Sequence, residues 1–295
     1  MKLFKWALVT GMGAAGLVGG TMLAGAAYLL RRRTPDPFDP PTNYDLSYEE
    51  VAFTARDGVK LRGWWIPAPD SIPAPAPTVV VCPGQEGSID GDTAQIVPLH
   101  RAGFAVLAFD FRGHGRSDGA LVTLGVREKD DLLDALDYLH LHHGVQRVGV
   151  LGFSMGASAA LMAAAESARI VSVVADSGYA SLVPTLRRWA ETRHIPEVVH
   201  RWFVPGALRI ASFLSGTVLH DTTLAAAATK LQERSVLLIY GADDPFVSPA
   251  ERHQLHVSLP CSELWIAPES GHRGAYRANP DIYNERVINW FRRTL

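Results

Sequence analysis

Six short apolar runs, residues 78–82, 104–109, 148–151, 170–175, 236–240 and 264–267, alternate with stretches of helical character. That alternation restricts the chain to a mostly parallel, doubly wound α/β sheet, because each run needs cover on both faces and each helix between them supplies it. Two further strand signals, residues 49–56 and 60–67, precede the series, and a proline- and alanine-rich turn region follows at 67–77. Between residues 181 and 230 the alternation stops for about 50 residues, which reads as a helical cap laid over the sheet.

One junction in this pattern carries chemistry. Gly152-Phe153-Ser154-Met155-Gly156 stands between the apolar run 147–151 and the small-residue helical stretch 157–165. A strand-to-helix turn this tight leaves no room for side chains at 152 and 156, and it lifts the Ser154 hydroxyl above the sheet edge over a helix N-terminus. A serine hydroxyl is a weak nucleophile at neutral pH and needs a histidine to take its proton and a carboxylate to orient that histidine. Both follow in order. The strand 235–240 runs into Gly241-Ala242-Asp243-Asp244-Pro245-Phe246-Val247, and the strand 263–267 runs into Glu269-Ser270-Gly271-His272. All three groups fall at strand C-termini on one edge of one parallel sheet, where open α/β sheets bind ligands.

These residues resemble those of the serine hydrolases of the α/β-hydrolase superfamily, most closely the bacterial branch related to serine aminopeptidases and prolyl-oligopeptidase-like hydrolases. The likeness covers about residues 48–295. It also rests on Asp57-Gly58-Val59-Lys60-Leu61-Arg62-Gly63-Trp64 as the first hairpin, 79–84 as the oxyanion strand, and Asp110-Phe111-Arg112-Gly113-His114-Gly115-Arg116-Ser117 as the loop after the next strand. The resemblance implies Ser154 as nucleophile, His272 as general base and Asp244 as the acid, with Asp243 a loop residue. Asp176, at the end of the run 170–175, is a second candidate acid, set against a role as a helix cap.

The resemblance also implies an oxyanion hole built from the backbone N–H groups of Met155 and Gln85. Here the chain departs from the usual His-Gly and has Cys82-Pro83-Gly84-Gln85-Glu86. Proline 83 has no N–H, but the expected donor lies beyond it. A carboxylate at 86 would oppose charge on an oxyanion, so Glu86 is expected to point to solvent.

Before the sheet, residues 6–30 form 25 positions without a charge, flanked by Lys2, Lys5 and Arg31-Arg32-Arg33. This length suits one transmembrane helix, with Ala24-Gly25-Ala26 as the cleavage site of a rival signal-peptide reading. Positive charge on both flanks leaves the side of the membrane open. The expected organisation is an anchor over 1–33, a stiff proline-rich spacer over 34–47, and a hydrolase domain over 48–295 with its cap at 181–230. The expected location is a single-pass membrane protein.

A formal charge of −2 and a pI near 6.6 give no basic field for nucleic acid, and two cysteines make no disulfide framework. His140, His142 and His143 close a helical stretch that begins near Val126, where they suit its C-terminus better than a metal. Neither metal nor cofactor is expected. Within the cap, Leu182, Leu186 and Trp189 recur at helical spacing, and Trp202, Phe203, Leu208, Ile210, Phe213 and Leu214 add a second apolar part. As a group they are expected to wall an acyl pocket, although packing on the sheet would explain each alone. The expected activity is cleavage of an ester, thioester or amide of a small-molecule or acyl substrate through an acyl-enzyme. Peptidase or acyltransferase chemistry, or a non-catalytic membrane-associated binding protein on the same fold, are the alternatives.

Overall fold

Eight strands, β1 (Glu49–Thr54), β2 (Lys60–Ile66), β3 (Thr78–Cys82), β4 (Ala105–Asp110), β5 (Val148–Phe153), β6 (Ile170–Asp176), β7 (Ser235–Gly241) and β8 (Ser262–Ala267), form one sheet in the order β1-β2-β4-β3-β5-β6-β7-β8. This computed structural model describes residues 2–295, with side chains from Gly16 onward. From β4 to β8 all neighbours are parallel, while β1 and β2 add an antiparallel hairpin at one edge. Every residue of β3, β4 and β5 is buried, as their apolar sequences require, whereas edge strand β1 buries only Val51 and Phe53.

The helices are α1 (Lys2–Leu30), α2 (Thr93–Arg101), α3 (Glu128–His143), α4 (Met155–Ala164), α5 (Leu182–Glu191), α6 (Glu197–Ser215), α7 (Ala225–Ala228), α8 (Pro249–Val257), α9 (Ala275–Ala278) and α10 (Pro280–Thr294). Side chains of α3 and α4 bury one sheet face; α2 and α10 bury the other, through Ile96, Leu99, Tyr283, Val287 and Phe291. The chain order reverses at β3, beside β5. The C-terminal end of β5, where Ser154 stands, is therefore a topological switch point with helices diverging to either side. Helices α5, α6 and α7 lie between β6 and β7, over the stretch where the alternation of the sequence stops.

The expected transmembrane helix is corrected by the structure. Among the described residues no helix is long and apolar enough to cross a membrane. The side chains of residues 6–15, the first part of the expected span, lie outside the described residues. The remainder packs on protein. A Cβ on Gly25 would come within 2.6 Å of a Phe203 ring carbon, and one on Gly206 within 2.5 Å of the Met22 sulfur, so α1 and α6 approach closely at their glycines. Ala26, Leu29 and Leu30 are buried in the main core.

The three arginines expected to flank a bilayer instead fasten the chain to the loop after β4. Arg32 donates to the carbonyls of Gly115, Ser117 and Gly119 at 2.7, 2.8 and 3.0 Å. Arg33, buried, donates its guanidinium to the Leu29 carbonyl at 2.8 Å and its backbone N–H to Gly113 at 2.8 Å. The stretch after them lies against the sheet domain too, with Asp36 and Asp39 bonded to Ser88 and Asp90. Hydropathy reports how strongly a helix needs cover and not what covers it, so a helix end docked on its own domain has the same sequence pattern as a membrane span. The single-pass topology and the membrane as partner fall with it.

A consequence is measurable. Deleting residues 1–33 removes Ala26, Leu29 and Leu30 from the core, and each leucine is worth about 1.5–3 kcal/mol of burial against a total stability of roughly 5–15 kcal/mol. The truncated protein is expected to lose more than 10 °C in thermal midpoint or to fail to fold. A midpoint equal to that of the full chain would show that the N-terminal segment contributes nothing to the core.

Candidate active site

Ser154 follows β5 with φ 50° and ψ −111°, a left-handed conformation that costs a residue with a Cβ about 1–3 kcal/mol. The turn is held by the Ser154 N–H donating to the Asp176 carbonyl at 2.7 Å. Gly152 is required because a Cβ there would meet the Gly156 carbonyl at 2.6 Å and the Ala157 backbone at 2.7 Å. A Cβ on Gly156 would strike the carbonyls of Cys82 and Pro83, so the two glycines let α4 start directly beside β3.

His272, from the loop after β8, places Nε2 2.8 Å from the Ser154 hydroxyl and Nδ1 2.9 Å from Oδ2 of Asp244. The Asp244 carboxylate is completely buried, and its other oxygen accepts from the N–H groups of Phe246 at 2.8 Å and Val247 at 3.3 Å. The bonds that form this turn are thus made by Asp244 itself, while the side chain of Asp243, expected as a loop residue, is exposed. The two oxygens of one carboxylate fix the loop and face the imidazole.

Asp176 does not face that imidazole nitrogen and caps no helix. Its oxygens accept from Ser177 Oγ at 2.8 Å and Tyr283 OH at 3.0 Å. Burial pushes its acid up from the ordinary carboxylate range, opposed by the Ser177 bond, Arg273 and the Tyr283 hydroxyl. Ser177 Oγ in turn accepts the Arg273 N–H at 2.9 Å, tying the end of β6 to the loop that carries His272. The Arg273 guanidinium pairs with Asp92, whose acid burial pushes up to about 6 against the pull of that arginine.

Met155 opens α4 behind Ser154, and Gln85 lies across the cavity after β3. His114 braces this loop, its ring nitrogens 2.9 Å from the Gln85 carbonyl oxygen and 2.8 Å from that of Arg112. Glu86 is mostly exposed, but Arg31 and Arg33 approach it at 3.6 and 3.8 Å and offset its charge. Cys82, fully buried beside the loop, has its thiol pushed up by burial and is not a second nucleophile.

Above these groups is a cavity of about 380 Å3, within the range of small-molecule sites. Of the cap residues singled out by sequence, Leu182, Leu186 and Trp189 of α5 line it. The second apolar part does not. Trp202 and Phe213 are 71 and 86% exposed, Phe203 packs on α1, and Leu208 is buried in the core. The opposite wall comes instead from Tyr28, Leu29 and Arg31, which no local motif marks because only docking of α1 brings them there.

Residues 77–203 match the family model described as alpha/beta hydrolase fold. The chain is 27% identical to the uncharacterized protein YqkD of Bacillus subtilis over 95% of its length and 93% of that protein. It is 26% identical to the uncharacterized protein YfhR of Escherichia coli, over 87% of this chain and 82% of that one. Among solved structures, the Pyrococcus furiosus esterase Pf2001 superposes with a TM-score of 0.74 at 27% identity, covering 90% of this chain and 98% of the esterase. The α/β-hydrolase fold is thereby established, and the similar structure of 27% identity is an esterase. The expected affiliation with serine aminopeptidases and prolyl oligopeptidases is corrected accordingly: these findings support an α/β-hydrolase fold related to esterases and do not carry that branch.

Proposed function

We propose that this hydrolase cleaves carboxylic esters through an acyl-enzyme formed on Ser154. The observation that carries the reading is the continuous chain from Ser154 Oγ through His272 to buried Asp244, opening into a mostly apolar cavity. Esterase chemistry in a relative of similar extent supports it.

In the first half-reaction His272 Nε2 takes the hydroxyl proton as Ser154 Oγ bonds to the ester carbonyl carbon. The carbonyl oxygen gains the negative charge between the Met155 and Gln85 N–H groups. Collapse breaks the bond to the alkoxy group, which leaves with the proton from His272. In the second half-reaction water replaces the alcohol, gives its proton to His272 and attacks the acyl carbon; Ser154 departs with that proton and the acid is released. Asp244 holds the imidazole so that Nδ1 carries hydrogen and Nε2 is free to accept.

The Arg31–Glu86–Arg33 contacts and the His114 brace hold the loop that supplies one of the two donors. The N-terminal segment thus bears on the reacting atoms through Glu86, one residue from Gln85.

Esters demand less of such a site than amides, whose leaving group must be protonated as it departs. On the full-length protein, p-nitrophenyl esters are expected to turn over at least about 10³-fold faster than aminoacyl p-nitroanilides with matched acyl groups, some 4 kcal/mol in barrier. Anilides cleaved as fast as esters would overturn the ester assignment while leaving the nucleophile in place.

A further inference from the structure

The wall of the cavity facing α5 is made by residues that precede the sheet altogether. Tyr28, near the end of α1, sets its ring against that of Trp189 on α5, with centroids 5.9 Å apart and planes inclined at 42°. The Arg31 guanidinium lies 3.9 Å from the Tyr28 ring centroid and the Arg193 guanidinium 3.7 Å from that of Trp189. Four planar groups, two from the α1 end and two from α5 and the turn after it, are therefore layered where the two helices meet at the cavity.

The anchoring of this stack is uneven. The Tyr28 backbone is fixed, since its carbonyl accepts from Arg31 at 3.0 Å and from Arg33 at 3.2 Å and its neighbour Leu29 is buried. The residue is 43% exposed, its ring packs tilted against that of Trp189, and no hydrogen bond of its hydroxyl is present among the described residues. Trp189 likewise packs by its ring. On the cavity side the neighbours are Leu29, Leu182, Leu186 and Phe246, which offer carbon surface and suit an alkyl chain.

We propose that Tyr28 and Trp189 form the length gate of this enzyme, an aromatic pair that closes the cavity at the α1–α5 junction and sets the longest acyl chain admitted to Ser154. This deepens the esterase reading and rests on it. It places the substrate's specificity determinant partly in a helix outside the sheet and its cap, and it assigns the acyl side of the ester to the apolar wall.

The test is a series of p-nitrophenyl esters from acetate to laurate, measured as kcat/KM on the full-length protein and on Tyr28→Ala, Trp189→Ala, Tyr28→Phe and Phe213→Ala. In the unmutated enzyme kcat/KM should climb nearly fourfold per methylene until the gate is reached and then fall. Removing either ring should move that break to longer chains. For the first ester past the wild-type limit, the ratio of its kcat/KM to that of the longest ester below the limit should rise about tenfold, the worth of one to two methylenes. Tyr28→Phe, which keeps the ring, should restore the wild-type break, and Phe213→Ala, on the exposed face of α6, should not move it.

A break at the same chain length in both alanine variants would overturn the proposal, and so would a shift produced equally by Phe213→Ala. Inactivation by p-nitrophenyl alkylphosphonates of the same lengths reads the gate through capture of Ser154 without turnover. Length-ranked inactivation that shifts in Tyr28→Ala, with no ester hydrolysed, would reject the esterase reading and keep the gate. Inactivation at rates independent of chain length, with esters still turned over, would reject the gate alone.

Discussion

Ser154→Ala is expected to abolish both ester turnover and labelling by a fluorophosphonate, with kcat falling by about 10⁶, the cost of removing the nucleophile from a serine protease. The fold should persist. Among the described residues the Ser154 side chain bonds only to His272, and alanine carries the same Cβ, so the left-handed backbone at φ 50° gains no new strain. The turn itself is held by the Ser154 N–H bond to Asp176, which the substitution leaves intact. A thermal midpoint within a few degrees of the unmutated protein, together with lost labelling, separates loss of the nucleophile from loss of structure. Labelling that persists in the alanine variant would move the nucleophile elsewhere.

The second large effect distinguishes two adjacent carboxylates. Asp244→Asn keeps a carbonyl oxygen to accept from Phe246 and Val247 and so preserves the loop, but it turns an amide N–H₂ toward His272 Nδ1. The imidazole must then carry its hydrogen on Nε2, where it cannot take the Ser154 proton. The same exchange of tautomer costs a serine protease about 10⁴ in kcat, or about 5 kcal/mol in the barrier. Asp243→Asn alters only an exposed side chain in the same turn and should cost less than about threefold, as surface substitutions usually do. Kinetics of the two variants under saturating ester decide the matter. Equal losses, or a larger loss at 243, would show that His272 is oriented by something other than Asp244.

The sheet and the three polar groups at its edge were legible because each leaves a local mark. Strands β3, β4 and β5 are apolar along their whole length because both faces are covered, and that demand is visible residue by residue. The glycines at 152 and 156 announce the turn that presents Ser154, since no other residue tolerates those approaches. Asp244 and His272 stand at the ends of recognisable strands, and parallel topology brings strand ends to one edge.

The α1 side of the cavity wall was not legible, and neither was the place of the N-terminal helix. An apolar helix states only that it must be covered. Lipid, a signal-peptide route and the domain's own surface satisfy that need equally, so hydropathy read α1 as an anchor while the fold docks it on α6. For the same reason the apolar pattern does not separate Trp202 and Phe213, which α6 turns outward, from true pocket residues, and it does not mark Tyr28, which lies against Trp189. Even Asp243 and Asp244, adjacent in the chain, were parted by resemblance and not by pattern; the turn that buries one and exposes the other decides which of them faces His272. By itself the sequence determined the layered sheet and which groups stand at its active edge, because strand burial and tight turns are local demands. Only the tertiary structure decided what encloses that edge, because the partner of an apolar face is set by packing between segments far apart in the chain.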